Sequence, residues 1–166
     1  VLEKIVSCLE PEKYETIVEI GPGLGHLTCL LSQRARSVIG VERDRMLVEQ
    51  LHSMARDWKG VSILSGDARN LSTMEVLKNA PRPLAVVGNL PFGSSTEILF
   101  DVLKMVPRIK VAVLMFQKEV SDRLCARPHS RQYGALTINC AAQCTVKRCF
   151  TVKAGSFHPR PEVDAS

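Results

Sequence analysis

Strand-like and helix-like segments alternate along the whole chain, a glycine-rich turn follows the first strand, and acidic residues end the next two strands. Together these predict an α/β fold, a Rossmann-like sheet with helices on both faces.

The elements follow in order. Residues 1–9 are apolar at 1, 2, 5, 6 and 9, a helical stripe. Residues 16–20 (TIVEI) read as the first strand, and 24–36 as a helix with apolar positions 24, 27, 30, 31 and 35. Strand 2 is expected over 38–41, a helix over 44–56 and strand 3 over 61–64. Ser72-x-x-Glu75 and Ser94-x-x-Glu97 have capping-box spacing, which predicts helices starting just after Ser72 and Ser94. Strand 4 falls at 84–88 between them and strand 5 at 111–116, and a helix over 118–126 stops before Pro128. A polar, basic loop (127–132) precedes a helix over 133–144, and residues 145–152 alternate as strand 6. The proline-constrained tail turns extended at 162–165, where another strand begins.

With 166 residues, 45% of them hydrophobic, the chain fits one soluble domain with a real core. No charge-free apolar run approaches the roughly 20 residues that cross a bilayer, and the N-terminus lacks a signal-peptide layout. No membrane role and an intracellular setting are therefore expected. Residues 1–103 hold 11 Lys/Arg against 13 Asp/Glu, whereas residues 104–166 hold 11 against 4. The basic half suits a polyanionic partner, with an ordinary solvated surface as the competing reading. None of the six cysteines forms a C-x-x-C pair, so buried reduced thiols are expected rather than a metal site.

Gly21-Pro22-Gly23-Leu24-Gly25 opens a helix directly after a strand, the place where bare backbone and helix N–H groups meet a negative charge. Its G-x-G-x-G spacing is one residue tighter than the dinucleotide fingerprint and better suits a carboxylate than a pyrophosphate. Glu42, ending strand 2, can accept both hydroxyls of a ribose. Asp67, ending strand 3, can accept from an adenine amine while the Ala68 N–H serves a ring nitrogen. Carboxylate, ribose and adenine are the polar parts of S-adenosylmethionine, whose spent form is S-adenosylhomocysteine.

Asn89-Leu90-Pro91-Phe92 leaves strand 4 with an amide oxygen, a backbone carbonyl stiffened by the following proline, and an aromatic face. The two oxygens can each accept one hydrogen of an exocyclic amine, freeing its lone pair, and Phe92 can stack on the base. A strand-end turn with Phe92 in the core is the alternative. Phe157 is a candidate for the other face of an unstacked base, with core packing as the rival reading.

These segments resemble the ribosomal RNA adenine dimethyltransferases, the small-subunit methylases that make N6,N6-dimethyladenosine. The resemblance runs through EIGPGLGHLT (19–28), VERD (41–44), SGDA (65–68), VVGNLPF (86–92), FQKEVSDRL (116–124), YGALTI (133–138) and FHPRPEVD (157–164), nearly the whole chain. It implies a class I S-adenosylmethionine-dependent methyltransferase fold, with a seven-stranded sheet whose last strand is an antiparallel insertion. It also implies cofactor contacts at Gly21, Gly23, Gly25, Glu42, Asp67 and Asn89, and a target adenine held by Asn89, Leu90 and Phe92. FQKEV and the basic segment after it are implied to help place the RNA. The partner implied is ribosomal RNA of the small subunit.

Members of that family usually begin with a basic, cofactor-covering segment and continue into a small helical domain. The expectation is therefore a catalytic domain over 1–166, cut near the last strand, without those two parts. Competing readings are a resistance-type methylase of large-subunit RNA, a non-catalytic RNA-binding, assembly or organellar transcription factor of the same descent, and a nicotinamide dehydrogenase.

Overall fold

Five strands form one sheet in the order β3-β2-β1-β4-β5, with β1 at Thr16–Ile20, β2 at Val38–Glu42, β3 at Val61–Ser65, β4 at Leu84–Asn89 and β5 at Ile109–Met115. This computed structural model describes residues 1–156 and 163–166. It divides into a sheet unit, residues 2–90 and 94–114, and a second unit, Val1, 91–93 and 115–166.

Strands β1, β2 and β4 read as nearly unbroken apolar runs because both faces are covered. Every residue of β1 and β2 is buried, and so is β4 up to its last residue. The pairs β1·β2, β1·β4 and β2·β3 are parallel, with Val18 opposite Ile39 on one side and Val86 on the other. Parallel pairing in this register carries the C-terminal ends of β1, β2 and β4, the ends with the motifs, to one edge of the sheet.

Helix α1 (Leu2–Leu9) buries Ile5, Val6 and Leu9, the expected stripe. Helices α2 (His26–Ser32) and α3 (Arg45–Met54) are shorter than the periodicity suggests. Helix α2 cannot start at Leu24 because Gly25, its N-cap, has φ +77. Asp44 caps α3, accepting from the Met46 N–H at 2.8 Å.

The two capping boxes behave differently from their spacing. Helix α4 (Glu75–Asn79) starts after Met74, and Ser72 lies in the 3-10 turn Ala68–Thr73. Asp101 has captured Ser72, accepting from its N–H at 2.8 Å and its hydroxyl at 2.7 Å. Asp101 lies on α5 (Ser95–Leu103), which does follow Ser94, but without a side-chain cap. Glu97, the other half of that box, faces Arg69 at 3.6 Å instead. A buried tertiary acceptor outcompetes local capping at Ser72.

The second unit contains α6 (Lys118–Leu124) and α7 (Ala135–Ala141). The strand expected over 145–152 does not form, and only Val152 pairs, antiparallel, with Ala165. Extended backbone needs a neighbour, and the described neighbour is just a few residues wide. Residues 147–149 are exposed, and Arg148 turns to Asp122 at 2.6 Å.

The expected extended tail is present where it is described. Phe116 and Ser166 exchange N–H···O bonds at 2.8 Å each, and Lys118 N–H donates to the Asp164 carbonyl at 2.9 Å. On its other side Ala165 exchanges bonds with Val152 at 2.9 and 2.7 Å. The segment is thus inserted antiparallel between the chain after β5 and Val152, around a small cluster of Met115, Val152 and Ala165.

The cysteine expectation needs correcting. Only Cys140 is buried, which pushes its thiol up to about 11. Cys144 and Cys149 are exposed, since α7 ends before Cys144. Among the described residues no His, Cys, Asp and Glu group gathers to hold a metal, and no helix is long and apolar enough to cross a membrane.

Candidate active site

The glycine loop does two separate jobs. Gly21, Gly23 and Gly25 all have left-handed φ, +64, +58 and +77. A Cβ on Gly21 or Gly23 would meet nothing within 4 Å, so the loop presents bare backbone to open space there. On Gly25 the same atom would strike Trp58 at 2.7 Å and Leu51 at 2.9 Å. Gly25 therefore lets α2 pack down on its neighbours. The loop itself lies close to β2, because a Cβ on Gly40 would meet Pro22 at 2.8 Å.

Glu42 is the hub of this end of the sheet. Its Oε2 accepts from the Gly23 N–H at 3.1 Å, and its Oε1 from the Arg43 and Asp44 N–H groups at 2.8 and 3.0 Å. Its backbone carbonyl accepts from Gly66 N–H at 2.8 Å, tying in the loop after β3. Three backbone donors orient a carboxylate that is only 8% exposed, leaving one of its roughly four acceptor sites, on Oε2, for a ligand hydroxyl.

Asp67 has a partner already. Arg69 donates to it through Nε, at 3.0 Å to each oxygen, through Nη2 at 2.6 Å, and through its backbone N–H at 2.9 Å. These bonds, the guanidinium first, hold the Asp67 carboxyl down to about 2. A ligand amine must share this carboxylate with Arg69. Ala68, half-buried, starts the 3-10 turn that follows.

Gly88 is the register partner of Ile20, so Asn89 ends β4 beside the start of the glycine loop, and it is exposed. Leu90 is buried at 1% exposure, anchoring the motif's backbone, and Phe92 is 37% exposed rather than in the core. The division between the two units falls inside this motif, after Leu90, so Pro91 and Phe92 belong to the second unit. Phe157 lies outside the described residues.

Sequence reading passed over three residues here. Arg69 could have been found as Asp-x-Arg just after a strand end. Gly40 carries no local signal, since its role is set by Pro22 on another segment. Glu19 is 2% exposed, its Oε2 lacks a hydrogen-bond partner among the described residues, and so does the buried Thr28 hydroxyl. Burial pushes the Glu19 carboxyl up to about 7, the Glu42 charge adds to this, and the nearby Thr28 hydroxyl, short of bonding geometry, opposes it.

The chain matches the family model described as ribosomal RNA adenine dimethylase across residues 1–166. It belongs to that family. It is 40% identical over 167 residues to ribosomal RNA small subunit methyltransferase A of Syntrophus aciditrophicus, covering 100% of this chain and 60% of that protein. It is 41% identical over 165 residues to the same-named protein of Myxococcus xanthus, covering 99% of this chain and 57% of that one. The chain thus spans less than two thirds of the length of these relatives. Among solved structures, a dimethyladenosine transferase from Plasmodium falciparum superposes with TM-score 0.84 at 29% identity, covering 99% of this chain and 58% of that one. The 23S rRNA methyltransferase ErmE superposes with TM-score 0.78 at 26% identity, covering 99% and 64%. The family's fold is thus the class I methyltransferase fold that the motifs implied.

Proposed function

We propose that residues 1–166 are the catalytic methyltransferase domain of an enzyme that dimethylates the N6 amine of two adjacent adenines in small-subunit ribosomal RNA. The observation that carries this reading is the hydrogen-bonded edge of the sheet. There an open glycine turn, a pre-oriented Glu42 and an exposed Asn89 meet at the ends of neighbouring strands. The names of the two bacterial relatives support the small subunit over the ErmE-type substrate.

The residues present fit S-adenosylmethionine. The bare backbone of Gly21 and Gly23 suits its carboxylate, Glu42 a ribose hydroxyl, and Asp67 with the Ala68 N–H its adenine, while Gly25 supports the loop. Bound there, it supplies an electrophilic methyl group on a sulfonium.

The protein's part is positioning. Asn89 Oδ1 and the Leu90 carbonyl accept the two amine hydrogens and draw the nitrogen toward a tetrahedral shape with its lone pair free. Pro91 stiffens that carbonyl, and Phe92 stacks on the base. The amine nitrogen would take the methyl group as its bond to sulfur breaks, leaving S-adenosylhomocysteine, and would release a proton to water, which needs no strong protein base because the methylated nitrogen is acidic. A second round gives the dimethylated base. An RNA substrate of this kind implies an intracellular site of action.

The test is transfer of labelled methyl groups into under-methylated small subunits by the full-length protein, with the modified bases mapped by reverse-transcription stops. Label on two adjacent small-subunit adenines is expected. No label, label only in large-subunit RNA, or full labelling by an Asn89→Ala variant would sink the reading.

A further inference from the structure

The second unit contains a pocket of about 470 Å³ that the methyl-transfer site does not use. Glu119 and Arg123 of α6 form one wall, and Arg131, Gln132, Tyr133 and Gly134, which lead into α7, form the other. Its walls are tied together from behind. The buried Thr137 hydroxyl donates to the Arg123 carbonyl at 2.7 Å and accepts from the Gly134 N–H at 3.3 Å. The end of α6 and the start of α7 are therefore held in register before any ligand arrives.

The lining has a distinctive chemistry. Three other cations of this unit are neutralised, Lys118 and Arg148 on Asp122 and Lys153 on Asp164. Arg123 and Arg131 make no ion pair among the described residues. Tyr133 is 38% exposed, so part of its ring is open to a planar partner. Glu119 is decisive for the ligand class. A bare phosphate or an acidic peptide would be repelled by it, whereas a nucleotide offers the arginines a phosphate and the carboxylate an N–H edge.

We infer that this pocket holds one unpaired nucleotide of the RNA other than the target adenine. The phosphate lies with Arg123 and Arg131, the base against Tyr133, and its N–H edge toward Glu119 and Gln132. The inference rests on the proposed function for its RNA substrate and adds a second anchoring point to it. Phe92, the stacking residue for the target base, belongs to the same compact unit as this pocket. One unit would therefore grip two bases of the same strand.

The test pairs protein variants with single abasic substitutions in the unpaired nucleotides of the substrate hairpin, using the full-length enzyme. Tyr133→Ala is expected to raise KM for RNA about tenfold, the scale of one lost base stack, with kcat and S-adenosylhomocysteine affinity within about twofold. Tyr133→Phe should behave as wild type, and Arg131→Gln should raise KM and flatten its salt dependence. One abasic position outside the target adenines should raise the wild-type KM by a similar factor and add nothing in the Tyr133→Ala enzyme. A wild-type KM in Tyr133→Ala, or penalties that add independently at every position, overturns the pocket. If wild type binds S-adenosylhomocysteine yet methylates no ribosomal RNA, the functional reading falls instead.

Discussion

The two units of this molecule hold their functional groups by opposite means. In the sheet unit, Glu42 is fixed by three backbone donors and Glu19 sits almost fully out of water, both on strands whose residues are all buried. In the second unit one cluster of buried apolar residues is Met115, Val152 and Ala165, and the candidate groups are exposed side chains on short helices and a loop. A small cofactor needs atoms placed to a fraction of an ångström, which backbone hydrogen bonds supply. A long polyanion needs charge and stacking faces, which exposed arginines and aromatics supply. Substitutions in the sheet unit should therefore show up in stability and cofactor affinity, and those in the second unit in RNA affinity.

The largest effect is expected where the units meet in sequence. Asn89→Ala should lower kcat by about a hundredfold or more, the cost of losing one pre-placed polar group at the reacting atom. S-adenosylhomocysteine affinity, read by calorimetry, should change far less, and a parallel collapse of both would mean that Asn89 serves cofactor binding rather than the acceptor.

Glu19→Gln is next. The folded carboxyl is raised from 4.5 to about 7, so the native state resists its ionisation. The stability it contributes as a neutral acid is full below about pH 4.5 and is lost as pH rises through 7. The glutamine variant should therefore gain on wild type across that window, by on the order of 3 kcal/mol at pH 8. Urea melts at pH 4, 6 and 8 check this, and a constant difference would refute it.

Gly25→Ala comes third, with about 2–3 kcal/mol of destabilisation from left-handed strain plus a clash with Trp58. Gly21→Ala carries the strain alone, about 1 kcal/mol, and should hurt cofactor affinity more than melting temperature. Equal effects on melting would mean that both glycines serve packing. The smallest change is Asp122→Asn in the second unit. It breaks two surface ion pairs, to Lys118 and Arg148, and should cost under about 1 kcal/mol. RNA should bind a fewfold tighter at low salt, with a steeper salt dependence.

What was legible in the sequence tracks the same contrast. The strands expected at 16–20, 38–41 and 84–88 were plain, and each observed strand extends them by at most one residue, because parallel strands covered on both faces must be apolar throughout. The glycine turn and Glu42 were legible because they sit at fixed offsets from those strands. Ser72 misled because Asp101, 29 residues away, takes both its donors. Residues 145–152 misled because alternation describes a strand only when a partner lies alongside. Arg69 is hidden because Asp67 alone already accounts for an acid at a strand end, and no local pattern announces that Gly40 is shaped by Pro22.

The insertion of Asp164–Ser166 between Phe116 and Val152 has a temporal meaning. All residues of the sheet unit leave the ribosome before Met115, so that half can assemble while the rest is still being synthesised. The second half must wait for residues 164–166 to complete its ladder. During translation the part suited to the small molecule therefore matures first, and the part suited to RNA is last to take shape.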